Sequence, residues 1–334
     1  MTHIAIFGAN HDDRTFFTQH LKGHELAFYD SPVVAAKLNP RAEVVSTFID
    51  TAITPEILDA LPKLRLIACR STGYNNVDIE AAKKRGITVA NVPSYGGTTV
   101  AEYTFTLLLM LTRRMVEVLR ESGTAAPDRE RERGTDLFGK TIGIIGTGSI
   151  GLGVARIARG FGMEVLGYDV YPRPEEARKL GFTYCDDVSE LLQKSDVVTL
   201  HVPYTPENHH FLRKEHINKL RHGAIVINTA RGELVDTPAL VDALRHGHIA
   251  GAALDVLEGE YLMDPDKLIA LAAHDDAAKQ TLRHAVAMAA LQHMPNVILT
   301  DHNAYNTTEA LQRINQTTAD NILNFLDGKE VFTV

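Results

Sequence analysis

Gly146, Gly148 and Gly151 follow one another as Gly-x-Gly-x-x-Gly, directly after an apolar run at 141–145. An amphipathic stretch comes next, with Ile150, Val154, Ile157, Ala158 and Phe161 on one face, and a second apolar run at 164–168 ends in Asp169. Residues in this order suit the binding of a dinucleotide. Gly146 permits a tight turn, Gly148 lets backbone approach a pyrophosphate, and Gly151 lets helix and strand pack closely. The start of the helix offers unpaired N–H groups and partial positive charge to the phosphates. Asp169 would accept hydrogen bonds from both adenosine ribose hydroxyls and would repel a 2′-phosphate, which selects NAD over NADP. A ligand-free glycine turn would require neither the flanking strands nor an acid roughly 20 residues on.

Three more residues have the chemistry of a carbonyl reduction. Hydride transfer to a ketone asks the protein for a cation to hold a carboxylate, a proton donor for the carbonyl oxygen, and a group that orients the donor. Arg231, Glu260 and His302 each follow a strand-like run, in INTARGELVD, AALDVLEGE and ILTDHNAYN. Taken singly, Arg231 reads as an exposed turn residue, Glu260 as solvated surface beside Glu258, and His302 as a helix cap. At three successive strand ends beside a nucleotide turn, the catalytic reading prevails.

The elements that must hold these residues alternate between β and α patterns along the chain. Runs at 4–7, 44–48, 66–68 and 88–90 read as strands, with helices at 16–21, 55–61 and 79–84. Later strands are expected at 197–200, 224–227, 251–254 and 297–299, a helix apolar on nearly every face from 100 toward 120, an Ala-rich helix in 263–293 and a last helix in 303–326. The fold class is therefore α/β with two domains: a Rossmann doubly wound parallel sheet at 101–302, and a flavodoxin-like substrate domain from 1–100 plus 303–334. The chain would pass twice between them, through two hinges. Ligands of such sheets bind at the carboxyl ends of the strands.

Composition narrows the class. The chain has 334 residues, 45% of them apolar, enough for two substantial cores. A net charge of −8 argues against a nucleic-acid surface, and no apolar run reaches membrane-spanning length. The N-terminus lacks a signal-peptide pattern. Two distant cysteines, Cys69 and Cys185, read as buried free thiols in a reducing cytoplasm. His201, His209, His210, His216, His222, His246 and His248 show no pairing with Cys or Glu at zinc-site spacing, so no metal is expected.

Along nearly its whole length the chain resembles the D-isomer-specific 2-hydroxyacid dehydrogenases, through GYNNVD (73–78), NVPSYGGTTVAEYT (91–104), GKTIGIIGTGSIG (139–151), DVVTLHVPYTPENHH (196–210), INTARGELVD (227–236), AALDVLEGE (252–260) and His302. Within that family it is most similar to fermentative D-lactate dehydrogenases. The resemblance implies that Arg231 binds the substrate carboxylate and polarises the 2-oxo group, that His302 exchanges a proton with the carbonyl oxygen, and that Glu260 holds the imidazole and favours its charged form. It also implies cofactor contacts from Ser149, Ile150, Val202, Pro203, Asn208, Thr229 and Ala230, with Asp255 near the nicotinamide carboxamide. Thr72 and Gly73 would grip the carboxylate through backbone N–H groups. Tyr95, Tyr305 and Phe48 would line a pocket small enough to favour pyruvate.

The implied cofactor is NAD, the partner a small 2-oxo or 2-hydroxy acid, and the assembly a homodimer or tetramer. Competing readings are a glyoxylate or hydroxypyruvate reductase, another D-2-hydroxyacid dehydrogenase, an NAD(H)-sensing corepressor-like protein, or an S-adenosylmethionine-binding fold, the last disfavoured by Arg231, Glu260 and His302. Two departures from the family pattern stand out. Asp301 occupies the place before the histidine where Pro or Gly is usual, and the 261–293 segment is longer than in many relatives.

Overall fold

Short apolar runs that are buried on both faces can form strands only inside a sheet covered by helices on either side. In the first part of the chain such runs form β1 (His3–Phe7), β3 (Val44–Thr47), β4 (Leu66–Cys69) and β5 (Thr88–Ala90), with β2 (Glu25–Tyr29) as a half-exposed edge. A computed structural model describes residues 1–31, 33–49, 51–122, 128–259 and 275–334. The five strands are parallel, in the order β2-β1-β3-β4-β5, which is the flavodoxin-like winding. Helices α1 (His11–His20) and α12 (Thr308–Leu326) bury Phe17, Ala319 and Ile322 on one face of this sheet. Helices α2 (Pro55–Asp59) and α3 (Ile79–Lys84) bury Ile57, Leu58, Ala81 and Ala82 on the other.

The second sheet has seven parallel strands: β6 (Thr141–Ile145), β7 (Glu164–Tyr168), β8 (Thr183–Tyr184), β9 (Val197–Leu200), β10 (Ala224–Asn228), β11 (Ile249–Leu254) and β12 (Val297–Leu299). Their order is β12-β11-β10-β9-β6-β7-β8, a doubly wound Rossmann sheet whose winding reverses between β9 and β6. One face carries α4 (Gly97–Thr112), α6 (Ser149–Gly160) and α7 (Pro174–Leu180). The other carries α8 (Val188–Lys194), α9 (Lys214–Ile217), α10 (Thr237–Arg245) and α11 (Asp275–Gln292). Among the described residues, no helix is long and apolar enough to cross a membrane.

Chain contacts divide the molecule into Met1–Tyr95 with Asn306–Val334, and Gly96–Tyr305. These breaks differ from the expected 100/101 and 302/303 for local reasons. Helix α4 already begins at Gly97, so a cut at 100 would split its first turn. The turn after β12 belongs to the second sheet as far as Tyr305, because Asp255 binds it from below. The single helix expected over 100–120 is two: Arg114 adopts φ 49° and separates α4 from α5 (Met115–Glu121). Strands β2 and β8 were not anticipated. The first is a half-exposed edge without clean alternation, and the second has two residues.

Arg70 is the largest fully buried side chain of the first unit. Its guanidinium donates to Asp13 Oδ2 at 2.9 Å and to the carbonyls of Phe7 and Gly8 at the end of β1, while Asn315 of α12 donates to Asp13 Oδ1 at 2.7 Å. Breaking a buried pair of this kind from one side costs about 3–5 kcal/mol. The arrangement fixes the chain just before the 71–73 turn. Cys69 and Cys185 are buried free thiols, and burial pushes the Cys69 thiol up to about 12.

Candidate active site at the strand ends

The carboxyl edge of the second sheet gathers the residues that the sequence singles out. Gly146 takes φ +94°, and a Cβ there would stand 2.7 Å from the backbone of His201 and Val202 at the end of β9. Only glycine fits that close approach. A Cβ on Gly151 would collide with the carbonyl oxygen of Gly146, so the helix start and the turn are in direct contact. Gly148 differs: a Cβ there meets nothing within 4 Å, and as the N-cap of α6 it leaves the helix without a side-chain cap. The amino end of a twelve-residue helix, beginning with Ser149 and Ile150, thus faces open space with uncapped N–H groups. That is the cradle a pyrophosphate requires.

Asp169 ends β7 beside this turn. Its Oδ2 accepts from Thr147 N at 2.6 Å and Thr147 Oγ1 at 3.0 Å, and its Oδ1 accepts from Tyr171 N at 2.9 Å. The acid is therefore held in place by the glycine turn itself, through Thr147, which sequence reading had passed over. Each oxygen can accept two hydrogen bonds. Oδ1 keeps one site open for a ribose hydroxyl, whereas Oδ2 is already occupied twice. The residues present fit an NAD molecule, with Asp169 receiving the ribose chiefly through one oxygen.

Further along the edge, β9 leads into 201–210. Asn208 spends its amide inside this loop: Oδ1 accepts from Thr205 N at 2.8 Å and Nδ2 donates to Pro203 O at 2.7 Å. It shapes the path of Val202 and Pro203. Thr229, after β10, is buried with its hydroxyl 3.2 Å from Thr104 Oγ1 on α4.

Arg231 comes next, and its turn is built by Asn228. The buried Asn228 amide donates to Arg231 O at 2.7 Å and accepts from Ala230 N at 3.0 Å. Among the described residues, the half-buried guanidinium donates one hydrogen bond, to Ala230 O at 2.6 Å. Gly232 follows, and a Cβ there would overlap the backbone of Leu257 and Glu258. The arginine turn and the acidic loop after β11 therefore touch at the backbone. Glu260 itself lies outside the described residues, as does most of the 261–293 segment before α11.

His302 occupies the turn after β12. It takes φ +48°, an uncommon backbone for a non-glycine residue. The strain falls on the histidine and not on the exposed Asp301 before it. Asp255, fully buried at the end of β11, holds this turn. Its Oδ1 accepts from Thr300 Oγ1 at 2.5 Å and Asn303 N at 2.8 Å, its Oδ2 accepts from Ala304 N at 2.9 Å, and its carbonyl accepts from His302 N at 2.8 Å. This bears on the expected contact between Asp255 and a nicotinamide carboxamide: the carboxylate is already committed to the histidine turn. The Tyr305 ring stands edge-on to the His302 ring, with centroids 6.3 Å apart.

The first unit carries the remaining candidates. Thr72 and Gly73 follow β4, and among the described residues neither backbone N–H makes a hydrogen bond. Asn91 Nδ2 donates to Thr72 O at 2.8 Å and Thr72 Oγ1 donates to Val92 O at 2.7 Å, which orients the turn. Phe48 lies under the Arg70 guanidinium, 5.3 Å from ring centre to Cζ. Tyr95 O accepts from both Nε and Nη2 of Arg313, at 3.1 and 2.9 Å. Arg70, Asn91, Asn228 and Arg313 were not singled out in the sequence, because each acts through a backbone contact that no spacing reveals.

The chain is similar to known proteins in sequence and fold. Residues 105–304 match the family described as D-isomer specific 2-hydroxyacid dehydrogenase, NAD binding domain. The D-lactate dehydrogenase of Escherichia coli is 34% identical over 333 residues, covering 98% of this chain and 97% of its own. The glyoxylate reductase of Korarchaeum cryptofilum is 36% identical, over 89% of this chain and 83% of its own. Among solved structures, D-lactate dehydrogenase from Aquifex aeolicus complexed with NAD and lactic acid superimposes with a TM-score of 0.83 at 35% identity, covering 97% of this chain and 96% of that one. With a Rossmann sheet, an uncapped glycine turn and a histidine turn in one edge, the chain belongs to the D-isomer-specific 2-hydroxyacid dehydrogenase family, NAD-dependent oxidoreductases acting on the CH–OH group of 2-hydroxy acids.

Proposed function

We propose that the protein is a D-lactate dehydrogenase that reduces pyruvate to D-lactate. The observation that carries the catalytic part of this reading is the locking of two turns at the ends of β10 and β12, on either side of β11. Asn228 holds the Arg231 turn and Asp255 holds the His302 turn, each from beneath, so that both side chains are presented from rigid sheet edges. For the choice of pyruvate, support comes from the likeness to two D-lactate dehydrogenases and from the Tyr305 ring beside His302.

In this reading bound NADH supplies the hydride that C2 of pyruvate receives. The planar fork of Arg231 pairs with the carboxylate and the 2-oxo oxygen. The free N–H groups of Thr72 and Gly73 take the other carboxylate oxygen. His302 gives its proton to the carbonyl oxygen as the C2–H bond forms, and takes it back during lactate oxidation. Glu260 holds the imidazole and favours its charged form. Ser149 and Ile150 contribute helix N–H groups to the pyrophosphate, and Asp169 receives the adenosine ribose. Val202, Pro203, Thr229 and Ala230 line the cofactor's path. Tyr95, Tyr305 and Phe48 limit the room beyond the methyl group. The unit Gly96–Tyr305 acts as the NAD domain, and Met1–Tyr95 with Asn306–Val334 as the substrate domain. A homodimer in the cytoplasm completes the reading, with a tetramer as the alternative.

The likeness to a glyoxylate reductase favours one second reading, reduction of glyoxylate or hydroxypyruvate by the same residues. The test is NADH oxidation with pyruvate, glyoxylate, hydroxypyruvate, phenylpyruvate and 2-oxoisocaproate, with products resolved on a chiral column. Fastest turnover of pyruvate to the D-product is the expected result. Preference for glyoxylate or hydroxypyruvate selects the second reading, and preference for a bulkier acid removes the proposed role of the three rings.

A further inference from the structure

The loop after β9 and the loop after β11 bring together three side chains, His209, His210 and Glu258. His210 Nε2 lies 2.7 Å from Glu258 Oε2, and His209 Nε2 lies 3.8 Å from Glu258 Oε1. One nitrogen of each imidazole and an oxygen of the carboxylate all lie within 4.8 Å of one another. A fourth group arrives from α11: His284 Nδ1 stands 3.4 Å from Glu258 Oε2. No member of this group is among the dehydrogenase residues described above. We propose that His209, His210 and Glu258 bind a divalent transition-metal ion of the zinc class.

Geometry supports the assignment. Two donors at about 2.0–2.1 Å from a tetrahedral ion stand about 3.3–3.5 Å apart. The separations of 2.7 and 3.8 Å about Glu258 bracket that value, and all three donor atoms lie within 4.8 Å of one another, so small side-chain rotations bring them to an ion. The two adjacent imidazoles are stacked, with centroids 3.9 Å apart and planes 23° from parallel, and both turn Nε2 to the same carboxylate. Tyr204 Oη stands 3.5 Å from His209 Nδ1, on the side away from the cluster, as an outer partner that orients the ring. His210 adopts φ +50°, a costly backbone that aims its ring at Glu258.

The donor set also selects the ion. Two imidazoles and one carboxylate suit zinc, nickel, cobalt or copper(II), whereas magnesium and calcium prefer all-oxygen surroundings. The bland alternative is a network of His–Glu ion pairs without a metal. An ion here would join two segments that are otherwise separate in sequence: the loop after β9 and the loop after β11. It would thereby stabilise the folded chain.

The test uses the untagged full chain, stripped with a chelator. Zn2+ binding is measured by calorimetry, and Co2+ binding by the visible d–d absorption of a tetrahedral site. The expected result is one ion per chain, a raised Tm with Zn2+, and no competition from excess Mg2+. His209→Gln and His210→Gln should each weaken binding at least about tenfold, while His246→Gln, at an exposed helix end, leaves it unchanged. Thermal melts of the metal-free variants check folding, and the exposed His209 keeps the test valid if His210→Gln does not fold. Absence of binding by the wild-type chain, or binding unweakened by either cluster substitution in a folded variant, overturns the proposal.

Discussion

The backbone carbonyl of Asp255 accepts the N–H of His302 at 2.8 Å, and the Asp255 carboxylate accepts the N–H groups of Asn303 and Ala304, at 2.8 and 2.9 Å. One buried residue at the end of β11 thus receives three successive backbone donors from the turn after β12. That turn is strained at His302, and a strained turn persists only where its surroundings over-determine it. Asp255 is accordingly a positioning residue for the proposed acid.

Replacing Asp255 by Asn keeps the volume and swaps one acceptor oxygen for an NH2 group. That group would face the Ala304 N–H or the Thr300 and Asn303 donors. An unsatisfied buried donor costs about 1–3 kcal/mol. We expect Asp255→Asn to lower Tm and to reduce kcat for the 2-oxo acid at least tenfold, with NADH affinity changed little. The pH profile of kcat should shift as well, because the imidazole loses its fixed setting. An unchanged kcat and pH profile would mean that Asp255 does not govern His302.

Much of this edge could be read before the structure. The glycine turn is legible because Gly146 and Gly151 each answer a steric demand that no other residue meets, and the strand ends because parallel strands are continuous apolar runs. The support beneath them was not legible. Asn228, Asp255 and Thr147 act on backbone atoms of neighbouring strands, and periodicity carries no information about such partners. The break at Arg114 escaped for another reason: its φ of 49° is uncommon for a non-glycine residue, and the residue type carries no signal of it. Likewise Glu258 meets His209 and His210 only because β9, β10 and β11 lie side by side.

Asp169 has two tasks, and its removal should reveal both. In the proposed function it repels a 2′-phosphate, and it ties Thr147 of the glycine turn to β7 through two hydrogen bonds of 2.6 and 3.0 Å. Asp169→Ala is expected to narrow the preference for NADH over NADPH by about tenfold or more, the equivalent of about 1.4 kcal/mol. It should also raise KM for both cofactors, because the turn loses its anchor. Steady-state kinetics with each cofactor provide the check. An unchanged NADH to NADPH ratio would place the ribose elsewhere.

His201 makes stability depend on pH. It follows β9 beneath the glycine turn, where Nε2 lies 2.9 Å from Thr199 Oγ1 and Nδ1 is wholly covered. Burial pulls the imidazole down from its ordinary 6.5 to about 3, so it stays neutral in the folded chain. In the unfolded chain the same ring takes up a proton below 6.5. Between these two values the unfolded state therefore binds more protons, and stability falls as the pH drops. Above 6.5 both states are neutral and the contribution of this ring to the pH dependence vanishes. The loss amounts to at most about 1.4 kcal/mol per pH unit. The measurement is a comparison: urea unfolding of the wild type and of His201→Gln at pH 7.5, 6 and 5, where Gln keeps a polar contact to Thr199 without a titrating group. The wild type should lose stability more steeply than the variant below pH 6.5. Parallel curves for the two proteins would show that His201 is protonated as readily in the fold as out of it.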